Sequence, residues 1–282
     1  GIAVHVNAFN APVAGLLSKL APAILAGMPV IVKPATATVQ VAEALASQIV
    51  ASSTVPAGSF QFIAGEMGDL LDHLTGQDVI AVTGSSETAE RIANHPIVLA
   101  RGARVIAARE SLNAAILGPD AEEGAPEFDL FVNAVARSMT LRAGQTSMAI
   151  RRIIVPRERE GDVAGHIAAL LGKVTVGDPR ADATGMGPLA TVEQRDKVLG
   201  VVEDLVTEAD IVFGDPEHGR SPGAYFSPVL LRARDPKSAV KLHSQEAFGP
   251  VATILTYDTI EEAIDLAAKA GTSLLAAVFT RD

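Results

Sequence analysis

No cysteine occurs among the 282 residues. That absence excludes disulfides, thiolate metal sites and any thiol nucleophile supplied by this chain. Basic charge is also scarce: 23 Lys and Arg stand against 33 Asp and Glu, for a formal charge of −10. With no Lys/Arg cluster to neutralise phosphates, a nucleic-acid partner is excluded. Apolar runs such as "VIAVT" and "LLAAVF" are far too short to span a bilayer, so no membrane partner is expected. No charged-then-apolar leader opens the chain, which makes a cytoplasmic protein the expectation. The six histidines, His5, His73, His95, His166, His218 and His243, are scattered without a pair at helical ligand spacing. No metal is expected, and each His reads as a surface or packing residue.

What is present is ordinary for a globular protein: 48% apolar and 20% charged residues. The length suits one large α/β unit or two domains sharing a cleft. The chain starts inside the strand-like run "GIAVHVNAF" and stops after "SLLAAVFTRD", so it reads as the middle of a longer protein. Helix-period and short apolar segments alternate, the mark of βαβ units around a parallel sheet. The expected elements are a helix over 12–27 ending at Gly27, a strand at "PVIVK", a helix over 38–52, and a strand at "FQFIAG". A short helix at "MGDLLDHL", a strand at "DVIAVTG" and a helix opening at "SSETAERIA" follow. Beyond residue 112 come the acidic stretch "GPDAEEGAPEFD", read as a domain-crossing connection, and a long helix over 126–140. Strands at "DIVFGD", "YFSPVLLRA" and "PVATILTYD" and a helix over 192–207 complete the pattern. The boundary is set near residue 110, with a coenzyme-binding domain over 1–110 and a catalytic domain over 111–282.

Open parallel sheets bind ligands at the carboxyl ends of their strands. Lys33 directly follows "VIV", and Gly84 and Ser85 follow "VIAVT" and open a helix. A helix N-terminus with free N–H groups suits a pyrophosphate. The plainer alternatives stand beside these: Ser85 as a helix cap, Lys33 as a solvated strand end. No G-x-G-x-x-G fingerprint is present.

Seven blocks in order carry more weight than any one motif: "NAFNAP" (7–12), "LAPAILAGMPVIVKPATAT" (20–38), "VTGSSETAERI" (82–92), "AGQTSMAIRRIIVP" (143–156), "VGDP…GMGPLAT" (176–191), "GAYFSPVLL" (223–231) and "EAFGPV" (246–251). Together they resemble the NAD(P)-dependent aldehyde dehydrogenase superfamily across practically the whole chain. "KPATAT", "RESLN" and the segment around "AIRRIIVP" are most similar to the dehydrogenase part of the bifunctional ring-opening enzymes of bacterial phenylacetate catabolism and to the CoA-linked semialdehyde dehydrogenases of benzoate epoxidation. The resemblance implies an aldehyde dehydrogenase-like α/β fold: a Rossmann-like parallel-sheet coenzyme domain plus an α/β catalytic domain, both incomplete here. It implies an aldehyde substrate, CoA-linked in that subgroup, and a homo-oligomer at full length. It assigns Lys33, Pro34 and Thr36 to the adenosine-ribose side of the coenzyme and Gly84 and Ser85 to the pyrophosphate. Glu246 and Phe248 fall to the nicotinamide ribose, and Asn10 to the oxyanion hole. Thr36 stands where strictly NAD-using members carry a glutamate, so NADP is the expected coenzyme, with NAD as the alternative.

Two departures bear on the chemistry. Ser147 stands where the family has its nucleophilic cysteine. A serine has almost no alkoxide at neutral pH without an adjacent base. Alignment on "SLN" sets Ala108 where the family has the carboxylate that activates the deacylating water. Glu110 lies two residues on, on the same side of an extended strand, and is the candidate substitute. Three readings follow: an impaired NADP-linked dehydrogenase, a non-catalytic nucleotide- or acyl-CoA-binding module, and a weak Ser147 esterase.

Overall fold

The short β-branched runs become strands and the 3.6-period segments between them become helices. The computed structural model describes residues 1–216 and 223–282; His218 lies outside the described residues. The chain divides into two compact units, Gly1–Glu110 and Ser111–Asp282.

The first unit holds β1 (Ala3–Val6), α1 (Ala14–Leu25), β2 (Val30–Lys33), α2 (Val39–Ser52), β3 (Phe60–Phe62), β4 (Val79–Thr83), α3 (Ser86–Ala93), α4 (Pro96–Arg101) and β5 (Arg104–Ala108). The strand order is β3-β2-β1-β4-β5, and every pairing is parallel. Alternate strand residues face opposite sides. Ala3, Val30 and Val32 join Leu16, Leu20, Ala42 and Ala46 beneath α1 and α2. Val4, Val6, Ile80 and Val82 pack with Ala89, Ile92 and Val98 of α3 and α4. Both faces are covered, so a buried strand reads as a continuous apolar run. The chain leaves β1 toward β2 and β3, then returns to build β4 and β5 on the other side. The switch point therefore falls between β1 and β4. α1 stops where Gly27 takes φ +75°, with Gly27 N bonded to Ile24 O and Met28 N to Ala23 O, a left-handed glycine cap. "MGDLLDHL" forms one 3-10 turn over Leu70–His73, shorter than the expected helix. α4 has no expected counterpart; Pro96 opens it, where a missing N–H costs nothing.

The second unit holds β6 (Asn113–Leu117), α5 (Pro126–Thr140), β7 (Ile150–Pro156), α6 (Glu160–Leu171), α7 (Val192–Leu205), β8 (Ala209–Phe213), β9 (Val229–Ala233), β10 (Val251–Tyr257), α8 (Ile260–Ala268) and β11 (Ala276–Phe279). The order is β11-β6-β7-β10-β9-β8, parallel except for the antiparallel β8–β9 pair. Central β7 and β10 are buried at all seven positions each. The acidic stretch after β6 leads into α5 inside this unit, because β6 already precedes it.

Arg152, on β7, is fully buried. It donates to Leu112 O (2.9 Å), Leu266 O (2.6 Å) and Ala267 O (2.9 Å). Two of those acceptors are carbonyls of the last turn of α8, where a cation meets the negative end of the helix dipole. Burial lowers its pKa to about 10, so it remains charged at neutral pH. Among the described residues no helix is long and apolar enough to cross a membrane, and no group of three His, Asp or Glu side chains could hold a metal.

Candidate functional site

In the first unit the polar groups gather at the carboxyl edge of the sheet. Lys33 is the last residue of β2, and its carbonyl accepts from Asn7 N at 3.0 Å. Pro34 is buried, and exposed Thr36 opens a 3-10 turn (Thr36–Thr38) into α2. Asn10 lies half-buried in the turn after β1. Lys33 and Ser85 sit at the same edge, with β1 between their strands.

Ser85 caps α3: its Oγ accepts from Thr88 N at 3.3 Å, and Thr88 Oγ1 lies 3.1 Å away. A Cβ added to Gly84 would meet nothing within 4 Å, so the space in front of this turn is open to a ligand. The N-terminus of α3 already carries an anion. Ser86 N donates to Glu110 Oε1 (2.7 Å) and Ser86 Oγ to Glu110 Oε2 (2.5 Å). β5 stops at Ala108, so the period-two argument that put Glu110 beside Ala108 does not extend to it. Partial burial pushes the Glu110 carboxyl up, but the Ser86 hydroxyl and N–H bonds and the Arg109 charge hold it below the usual range. Such a carboxylate is a weaker base and already has a helix to cap.

One cluster at this edge escaped the sequence reading. Lys19 Nζ, from α1, donates to Asn7 Oδ1 (2.7 Å), Thr83 Oγ1 (2.6 Å) and Val6 O (3.3 Å). It thereby spans the switch point, since Asn7 follows β1 and Thr83 ends β4. No carboxylate is among those acceptors, and burial lowers the Lys19 pKa to about 8. Burial, then the Lys19 charge, lowers His5 to about 4. His5 Nδ1 and Asn7 Nδ2 are buried without a hydrogen-bond partner. The available signal was a lone Lys inside the apolar run "GLLSKLAPAIL".

In the second unit the chain reaches Ser147 through an unusual turn. Arg142, Ala143 and Gly144 take φ +54°, +53° and +68° in succession. A Cβ on Gly144 would lie 2.1 Å from Gly249 O, so the turn fits flush against the 246–250 segment. Ser147 itself is half-buried. Its carbonyl accepts from Asn113 Nδ2 at 2.8 Å, and the same amide reaches Ala149 O at 3.0 Å. Asn113 is fully buried; its Oδ1 accepts from Ser111 Oγ (2.5 Å) and the Leu274 and Leu275 N–H groups (3.1 Å each).

Glu246 is a buried carboxylate held on both oxygens. Its Oε1 accepts from Arg151 Nε at 2.9 Å and its Oε2 from Ser111 N at 2.8 Å. The two side chains are 1% and 3% exposed. Arg151 also donates to Gly249 O (2.6 Å) and Gly144 O (2.7 Å), and its guanidinium lies 5.6 Å from the Phe248 ring centroid. One cation thus joins Glu246, Phe248, Gly249 and the turn before Ser147. Burial lowers the Arg151 pKa, and the Glu246 charge opposes that. The sequence signal for Arg151 was the pair of adjacent arginines in "AIRRIIVP": neighbours on a buried strand face opposite sides, so each needs internal acceptors.

The Aldehyde dehydrogenase family profile matches residues 1–282. The 3,4-dehydroadipyl-CoA semialdehyde dehydrogenase of Aromatoleum evansii is 40% identical over 288 residues, covering 100% of this chain and 56% of that protein. The geranial dehydrogenase of Castellaniella defragrans is 30% identical over 276 residues, covering 95% of this chain and 54% of that protein. A solved aldehyde dehydrogenase from Pseudomonas syringae, a cysteine-to-alanine mutant in complex with NAD+ and octanal, aligns with a TM-score of 0.87. It is 29% identical, over 100% of this chain and 57% of that one. The chain thus spans little more than half the length of these relatives.

Proposed function

Because the chain belongs to the aldehyde dehydrogenase family, whose named members are oxidoreductases acting on aldehydes, we propose that it carries an NADP-linked scaffold for a CoA-linked semialdehyde, stalled in steady oxidation at Ser147 and Ala108. The observation that carries this reading is the backbone at Ser147. A buried Asn113 amide and a flush left-handed turn fix that position, as a reacting side chain requires. The 40% identity to a CoA-semialdehyde dehydrogenase over the whole chain supports the substrate class.

In this reading the first unit is the coenzyme-binding domain and the second the catalytic one. Lys33 and Pro34 meet the adenosine ribose, and Thr36, carrying no charge, tolerates a 2′-phosphate. Gly84 leaves room for the pyrophosphate beside Ser85. Glu246, paired with Arg151, meets the nicotinamide ribose. Phe248 packs beside it. Asn10 donates its amide to the oxygen of the reacting carbonyl. The coenzyme, when bound, takes up the hydride. A thiolate at position 147 would add to the aldehyde carbon; among the described residues no base is bonded to the Ser147 hydroxyl to ionise it. The Ala108 methyl takes no proton from water, so an acyl group formed at 147 would persist. At full length the enzyme acts as a homo-oligomer.

The second reading, a non-catalytic binding module, draws on Glu110, which already fills the α3 N-terminus. Calorimetric titration of the full chain separates the two. The dehydrogenase reading expects NADP+ to bind at least as tightly as NAD+. Binding of CoA with neither coenzyme bound would favour the module.

A further inference from the structure

We propose that Glu110 competes with the coenzyme for the N-terminus of α3 and so weakens the binding of any dinucleotide to this chain. This deepens the coenzyme reading above and rests on it. The contact follows from the register of the sheet. β4 and β5 pair in parallel with Thr83 opposite Ala108, and Gly84 N donates to Ala108 O at 3.1 Å. The chain leaving β5 is therefore carried alongside the turn that opens α3, and Glu110 arrives at Ser86. Its two oxygens take both donors of that residue, the N–H at 2.7 Å and the hydroxyl at 2.5 Å. Partial burial opposes ionisation of Glu110, but the Ser86 bonds and the Arg109 charge keep it ionised at neutral pH.

An anion at a helix N-terminus gains from the free N–H groups and the dipole, and two anions at the same turn repel each other. Glu87, in the first turn of α3, adds a second negative charge, and Arg109 is shared with Glu90 at 3.4 Å. A pyrophosphate brought to Gly84 and Ser85 thus meets a held carboxylate and a Ser86 whose donors are taken. A Cβ built on Gly84 meets nothing within 4 Å, so the obstacle is charge rather than bulk. Glu110 acts with opposite sign on fold and ligand: it caps α3, and it repels the coenzyme.

The test is calorimetric titration of the full chain, of Glu110→Gln and of Glu110→Ala with NADP+, NAD+ and adenosine 2′-monophosphate. Both substitutions should tighten NADP+ and NAD+ by roughly tenfold, the loss of one like charge beside the pyrophosphate. Adenosine 2′-monophosphate, which has no pyrophosphate, should bind parent and variants within about twofold, as expected of a distant site. Both variants should melt slightly below the parent, so tighter binding would not reflect a better-formed fold. Dinucleotide affinity equal to the parent's in both variants would overturn the proposal, and so would weaker binding. Equal tightening of adenosine 2′-monophosphate would overturn it too, because the change would then not lie at the pyrophosphate. Absence of dinucleotide binding in all three proteins would instead overturn the coenzyme reading beneath it, and the competition with it.

Discussion

The two units treat buried cations differently. In the second, Arg151 and Arg152 each donate to three or more internal acceptors, and Arg151 also has Glu246 as a counter-charge. In the first, Lys19 has three neutral acceptors and two neighbours, His5 and Asn7, with an unsatisfied polar atom each. A satisfied network fixes one geometry; an unsatisfied one stays sensitive to protons and ligands. The second unit is therefore a rigid holder for position 147, and the first a titratable edge at its switch point.

The largest effect should come from breaking the rigid side. Arg151→Met leaves Glu246 buried without its partner, and such losses cost about 3–5 kcal/mol. Urea denaturation should show it as a large fall in midpoint, and Arg151→Met with Glu246→Leu should recover much of the loss. A fall equal in the single and double variants would mean the pair itself is not what holds the segment.

Gly144→Ala should come next. Left-handed strain costs roughly 1–3 kcal/mol, and the new Cβ would press on Gly249 O. Thermal unfolding should shift down by several degrees; an unchanged Tm would show that the turn is free to relax away from the 246–250 segment.

Lys19 gives a smaller effect with a defined sign. Its folded pKa, about 8, lies below the ordinary lysine value of 10.5. Between those values the unfolded chain holds the proton and the folded chain does not, so stability rises as pH rises from about 8 toward 10.5. For His5, folded at about 4 against 6.5, the same argument gives a rise from about pH 4 to 6.5. Lys19→Met should flatten the upper rise and shrink the lower one in part, because the Lys19 charge is the second cause of the His5 shift after burial. If Lys19→Met leaves the upper rise intact, the switch-point cluster is not its source.

Glu110→Gln should cost least, about 1 kcal/mol, as a charged partner lost from a helix N-terminus. Native-state hydrogen exchange confined to the first turns of α3 would report it.

Most sheet strands and most long helices were legible because their apolar period is uninterrupted. "VIVK", "VIAVT" and "PEFDLFVNAVARSMT" each became the expected element. α4 was not legible, being six residues long, too short for a period to register. α6 was hidden by Gly161 and Gly165, which lower helix propensity and are overridden by packing of Val163, Ile167 and Leu171. At the site, Lys33, Ser85 and Ser147 stood out because they sit at the ends of strong elements. Arg151 and Lys19 did not, because their meaning lies in acceptors distant in sequence: Gly249 and Glu246 for one, Thr83 for the other. Glu110 was misleading in sequence alone, since its place beside Ala108 presumed a strand that ends at Ala108.

The most direct test of the central claim, a scaffold intact for aldehyde oxidation but stalled at two positions, is rapid-mixing spectroscopy of the full chain carrying Ser147→Cys. NADP+ is bound first and an aliphatic aldehyde added. The account predicts one stoichiometric burst of reduced coenzyme, no steady turnover, and steady turnover once Ala108→Glu is added. Steady turnover from Ser147→Cys alone would show another base at work, and no burst from either protein would contradict the account outright.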